Sequence, residues 1–275
     1  MRNTLNPGLP KSAPISRCVK FHRVGTGGPV SGLILKDYAL DIHRDGHNEF
    51  FELRVPTHLS DSLEVNVAQS EPKERHLLLF VRKTGDTPQL DRFLCGHDER
   101  EWFVAAVPGG ASSVRQAMDA LQPANVREAL ARNRVSARKR YERKNRAFRR
   151  QGEWFFVPEP SLVVDDKFVL RNEPLRRGAG KPHIVQEILR TGGEIVHVCS
   201  RHPNGLTSDE YKNLLKRTPG ASRWGWRVMS RNPGVYARGA VSHADHATIT
   251  LPCWHRVVMN TETQSRTMAN VAFLD

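Results

Sequence analysis

Apolar residues in the first hundred positions come in short runs rather than at helical spacing. The runs at 33–35, 50–55, 63–67, 76–81 and 100–107 are rich in branched or aromatic side chains, and turn signals such as Gly25 to Gly28, Asp45-Gly46 and Gly85-Asp86 separate them. Runs of this length and composition read as strands, and several at this spacing predict an antiparallel sheet or small barrel over 18–108.

The period changes after Gly109-Gly110. Val114, Ala117, Met118 and Leu121 fall on one face of a helix over 114–121, with Ser112-Ser113 offering a cap. Pro123 suits the first turn of a second helix, expected to run from 124 to 151 and to stop at Gly152. Its apolar stripe of Val126, Leu130, Ala137, Tyr141 and Phe148 is thin and broken by Arg134 and Lys144. Beyond it, 153–157 reads as a strand, 183–190 as a helix and 195–199 as a strand. A helix over 207–217 follows, in which Thr207 and Glu210 form a capping box. Strands over 224–229, 235–242, 248–251 and 256–259 end the chain, and 243–247 is the turn of a hairpin. The expected fold is α+β: two β-rich parts, each an antiparallel sheet or small barrel, joined by a helical segment containing a long basic helix. The expected divisions are an N-terminal arm (1–17), a β-rich domain (18–108), the helical segment (109–152) and an α+β domain (153–275).

Composition is that of a globular protein, with 39% hydrophobic and 26% charged residues. Charge adds more. The stretch 131–150 holds ten Lys or Arg against Glu142 alone, giving +9 of the chain's +13. Like charges at helical spacing repel by some tenths of a kcal/mol per pair, so such a helix needs an anionic partner. Arginine outnumbers lysine eight to two here, and its planar fork suits phosphates and base edges. Nucleic acid, DNA or RNA, is the expected partner. The candidate contacts are Arg138, Lys139, Arg140, Arg143, Lys144, Arg146, Arg149 and Arg150. Arg176, Arg177 and Lys181 join them from a glycine-bearing loop. That loop lacks P-loop spacing, since Pro182 stands where Ser or Thr belongs.

Histidines cluster near cysteines at four places. Cys199 with His202, and His243 with His246, have the short spacing that zinc ligands use, so zinc or another divalent metal is a candidate cofactor. Metal-assisted hydrolysis of nucleic acid needs a base and ligands near a phosphate, for which His243, His246, His255 and Asn260 are the candidates. His255 lies eight or more residues from the hairpin tip, on the order of 25 Å along a strand. The leading expectation is a nucleic-acid-binding protein, within a ribonucleoprotein or other nucleoprotein assembly. The alternatives are a metal-dependent nuclease and a scaffold for an acidic protein. The N-terminal residues lack the apolar core of a signal peptide, no apolar run approaches the ~20 residues that span a bilayer, and four scattered cysteines read as reduced thiols. The expected setting is therefore cytoplasmic, away from membranes.

Overall fold

The computed structural model describes residues 19–24, 33–35, 37–45, 48–85, 87–98, 101–177 and 180–265, and the arm expected at 1–17 lies outside them. Contacts divide the chain into two units. One holds the described residues up to Ala124 together with 260–265, and the other holds 125–259.

In the first unit the short apolar runs are strands. β1 (Val19–Val24), β2 (Leu33–Ile34), β3 (Ala39–Asp45) and β4 (Asn48–Pro56) form a sheet in the order β1-β4-β3-β2, with β1 parallel to β4. β5 (Leu63–Glu71), β6 (His76–Lys83), β7 (Gln89–Asp98) and β8 (Glu101–Ala106) form an antiparallel meander. The sequence of β6 shows why the layers stack as they do. It is apolar at successive positions, so both of its faces need cover. Leu77, Leu79 and Val81 pack with Leu40, Phe51 and Leu53 of the first sheet. On the other face Leu78 meets α1 (Val114–Leu121) through Val114, Ala117 and Leu121. The Ser113 hydroxyl accepts the Gln116 N–H at 3.2 Å and caps that helix.

The second unit contains all but the first residue of α2 (Ala124–Arg132), then β9 (Arg149–Gln151), β10 (Trp154–Pro158), β11 (Leu170–Leu175), β12 (His183–Thr191), β13 (Glu194–Cys199), β14 (His202–Thr207), α3 (Ser208–Arg217), β15 (Arg227–Arg231), β16 (Gly234–Ser242) and β17 (Ile249–Met259). Six strands form one sheet in the order β11-β12-β16-β17-β10-β9. Along β10 the side chains alternate. Trp154 and Phe156 join one core with Val185, Ile188 and Val257, while Phe155 and Val157 join another with Val126, Leu130 and Phe148. The small sheet β14-β13-β15 and α3 are inserted between β12 and β16, which are neighbours in the large sheet. The capping box at Thr207 and Glu210 is formed.

These observations correct the expected fold class. Among the described residues the protein is mostly β, with four sheets and three α-helices of eight to ten residues. The long basic helix does not exist. α2 stops at Arg132 because the chain makes a Schellman turn: the Val135 N–H bonds to Leu130 O and the Arg134 N–H to Ala131 O, with Arg134 at φ 48°. Val135 then packs on the cluster that includes Leu130. A left-handed residue is expected to be Gly or Asn, and an arginine there hides the stop. Repulsion among ten cations weakens the helical alternative further. Residues 133–148 form turns organised by Asn145, whose side chain accepts the N–H groups of Ala147 and Phe148 and donates to Lys139 O. A bridge between Lys144 and Arg149 closes the segment.

The helix expected over 183–190 is also overturned, since these residues belong to β12. A bulge between Val185 and Glu187 shifts the inward phase by one. The buried positions Val185, Ile188 and Leu189 therefore copy helical spacing along a strand. Among the described residues no helix is long and apolar enough to cross a membrane.

Candidate metal centre and cationic surface

The centre is assembled by strand register. Ile184 pairs with Ser242, so His183 at the start of β12 lies beside the β16–β17 tip that carries His243 and His246. One ring nitrogen from each of the three histidines lies within 4.8 Å of those of the other two. The His183 ring stacks on that of His243 at 4.2 Å between centroids, and His243 on His246 at 4.8 Å. His183 is 1% exposed, and neither of its ring nitrogens has a hydrogen-bond partner among the described residues.

A third element underlies the cluster. Gln151 and Trp154 pair across the two-residue turn Gly152-Glu153. Gly152 has φ 56°, and a Cβ there would come within 3.1 Å of His246 Nε2 and 3.5 Å of His183 Nε2. Both the turn and the close approach require glycine. Gln151, buried at the end of β9, donates from Nε2 to Ala247 O at 2.7 Å and Val241 O at 3.3 Å. It braces the strand and the loop on either side of His243 and His246.

Electrostatics favour the neutral form of His183 and His246. Burial, with the neighbouring His243 and His246, pulls His183 down to about 3. Burial also lowers His246, joined by His243 and Arg143 and opposed by the carboxylates of Glu153 and Asp245. Lys181 pairs with Asp245 at 2.8 and 2.9 Å, and its bond holds that carboxyl below its usual range. Neutral imidazoles are the form that ligates metal. The Asp245 N–H donates to His243 Nδ1 at 3.1 Å, so a neutral His243 carries its proton on Nε2.

The other histidine and cysteine candidates are elsewhere. His255 is buried in β17 opposite Ala237, six residues from His243 and so about 20 Å along β16. Its Nδ1 lies 2.7 Å from Cys253 O. Asn260 belongs to the other unit and caps the 3-10 turn Thr261–Gln264. Cys199 is a buried free thiol, and His202 stacks near Trp224 and Trp226. His183 was hidden from sequence reading by the mistaken helix. The usable signal was the β-branched content of 184–188, which favours a strand ending at the histidine.

The candidate phosphate contacts are spread over the turns of 133–150. Arg138, Lys139, Lys144 and Arg146 are exposed, and Arg149 is half-buried. These five have no carboxylate partner among the described residues. The Arg140 guanidinium lies over the Tyr141 ring. Arg150 is lowered to about 10 by burial, and Arg143 to about 10 by burial and repulsion from Arg150, which leaves both cationic at neutral pH. Arg176 is exposed, Arg177 is half-buried and Lys181 is engaged with Asp245.

The chain matches no family model, no curated protein and no solved structure.

Proposed function

We propose that the second unit binds nucleic acid through the cationic turns of 138–150 and holds a divalent transition metal, zinc or a close analogue, on His183, His243 and His246. The observation that carries the reading is that the two features adjoin: β9, the end of the arginine-rich segment, runs straight into Gly152, which lies against His246 and His183 of the three-histidine cluster. Unmatched guanidinium groups supply the field that attracts a polyanion and its counterion-release affinity. Three imidazoles with an open fourth position are the donor set of a catalytic zinc. One nitrogen from each of His183, His243 and His246 lies within 4.8 Å of the others, and these would hold such an ion.

In this reading the protein is a metal-dependent phosphodiesterase acting on nucleic acid. A metal held by His183, His243 and His246 would supply a bound water of lowered pKa. Hydrolysis would join the oxygen of water to phosphorus, break the bond to the leaving oxygen and protonate that oxygen as an alcohol. Arg143 and Lys181 offset charge on the phosphoryl oxygens. A cytoplasmic setting with reduced thiols belongs to the same reading.

The test separates its halves. Changing Arg138, Lys139, Lys144 and Arg146 to Gln should weaken binding of a labelled oligonucleotide at low salt and flatten the salt slope by up to about 3. Changing His183 to Ala should strongly weaken Zn²⁺ or Mn²⁺ uptake and metal-dependent cleavage while leaving oligonucleotide binding in place. An unchanged salt slope refutes the binding surface, and metal-independent cleavage or undiminished metal uptake by the His183 variant refutes the centre.

A further inference from the structure

The segment inserted between β12 and β16 has a core of unusual composition. Between Glu194 and Arg231 the buried apolar side chains are Val196, Cys199 and Ala221. Aromatic rings supply the rest. Tyr211 stacks on His197 at 4.1 Å and 12°, and the edge of Trp226 meets Tyr211 at 4.9 Å. The Trp226 indole N–H donates to Ala221 O at 2.7 Å. These contacts explain His197, Tyr211 and Trp226 as the packing of a small module.

They do not explain Trp224 and His202. The rings of His202, Trp224 and Trp226 lie within 22° of parallel, with centroids 5.6–6.2 Å apart, so their faces are aligned. Trp224 and His202 are only half-buried. The Arg201 guanidinium lies 4.3 Å from the Trp224 ring centroid.

Charge around the rings is one-sided. Residues 194–231 contain seven Lys or Arg against three acidic residues, a net +4. Each acidic group is taken: Glu194 by Arg231, Asp209 by Lys212, and Glu210 in the cap of α3. Arg201, Lys216, Arg217, Arg223 and Arg227 are all exposed, and none has a carboxylate partner among the described residues.

We infer that this insertion is a stacking platform for unpaired bases of single-stranded nucleic acid, with Trp224 and His202 offering ring faces and Arg201, Arg223 and Arg227 meeting the phosphates. This rests on the nucleic-acid reading above and specifies the strandedness of its ligand. Aligned aromatic faces amid unmatched cations are what non-specific single-strand binders use, because every base has a π-face. A duplex keeps its bases stacked on one another and offers a flat ring nothing to cover.

The test uses the full chain and three probes: a twelve-nucleotide oligo(dT), the same oligonucleotide with central abasic sites, and a duplex of equal length. Oligo(dT) should quench tryptophan fluorescence. The abasic probe should bind the unmodified protein about 5- to 150-fold more weakly than oligo(dT), as one lost stack implies. Trp224→Ala should lose a similar factor for oligo(dT), little for the abasic probe, and nothing for the duplex. Arg227→Gln, at an exposed cation, should lose affinity for all three probes. Equal binding of oligo(dT) and abasic probe by the unmodified protein overturns the inference without any variant. So does a polyglutamate peptide that competes as well as oligo(dT) and is equally sensitive to Trp224→Ala, since the ligand is then an acidic protein. Failure of every nucleic-acid probe to bind at low salt removes the parent reading. Binding that depends on 138–150 but not on Trp224 removes this inference alone.

Discussion

The two units are built alike and differ in how they treat buried polar groups. Each covers both faces of a sheet and sets one face against a short helix, α1 in the first and α2 in the second. In the first unit the polar side chains of the interior are mostly matched, the Ser70 hydroxyl being an exception. The Tyr38 hydroxyl donates to Asp91 at 2.7 Å, Glu262 accepts the Ala106 N–H at 3.0 Å, and Gln69 accepts the Val114 N–H at 2.7 Å. In the second unit both nitrogens of His183, the Trp154 indole N–H and the Gln151 amide oxygen lack partners among the described residues. All three residues belong to one neighbourhood, since the rings of Trp154 and His183 are in edge contact and Gln151 braces the adjoining loop. A buried polar atom without a partner costs about 1–3 kcal/mol, which a fold does not concentrate at one place without return. On the proposed reading, the first unit is the scaffold and the second the working half.

The comparison can be tested from its strongest consequence downward. If the cores are equivalent, Phe93→Ala in the first unit and Phe156→Ala in the second should each destabilise the protein by about 3–5 kcal/mol, since both side chains are fully buried. Urea unfolding measures this, and a loss under 1 kcal/mol in either case would mean that its core relaxes around the gap. The units should then part company at His183. His183→Ala should weaken Zn²⁺ or Co²⁺ binding by about two orders of magnitude or more, read by calorimetry or the visible spectrum of bound cobalt. Ser70→Ala, at a buried hydroxyl of the first unit that also lacks a partner, should leave metal binding untouched.

Gln151→Leu should cost about 10- to 100-fold in metal affinity through lost positioning, with circular dichroism unchanged. A variant that binds metal normally would reduce Gln151 to a packing residue. The smallest effect concerns pH. Burial lowers His255 below 6.5, with its bond to Cys253 O opposing and Arg149 adding to the depression. Its folded pKa is thus below its unfolded one. The associated stability is complete above pH 6.5 and declines as pH falls below it, at no more than about 1.4 kcal/mol per pH unit. His255→Asn, which keeps a donor near Cys253 O, should flatten the denaturant midpoint between pH 7 and 5. An unchanged slope would assign acid sensitivity to other groups.

Local elements were legible where one force dominated. Ser113 and the spacing of Val114, Ala117 and Leu121 mark α1 at its observed bounds, and Thr207 with Glu210 marks the start of α3. The β16–β17 hairpin, with His243 and His246 at its tip, follows from two apolar runs and the polar residues between them. The errors have physical causes. Arg134 in a left-handed conformation ended a helix without the glycine that usually signals it, and a bulge in β12 gave a strand the burial spacing of a helix.

Taken alone, the sequence determined the strand-rich character of the first hundred residues, the concentration of cations at 131–150 and the pairing of two histidines on one turn. Composition and short-range periodicity carry those properties, and they survive any arrangement of the chain. Only tertiary structure decided that His183, sixty residues before His243, would face it across a strand register, and that Gly152 would lie beneath both His183 and His246. Pairing between distant strands depends on the sum of many weak contacts over a whole sheet, and no local pattern in the chain records that sum.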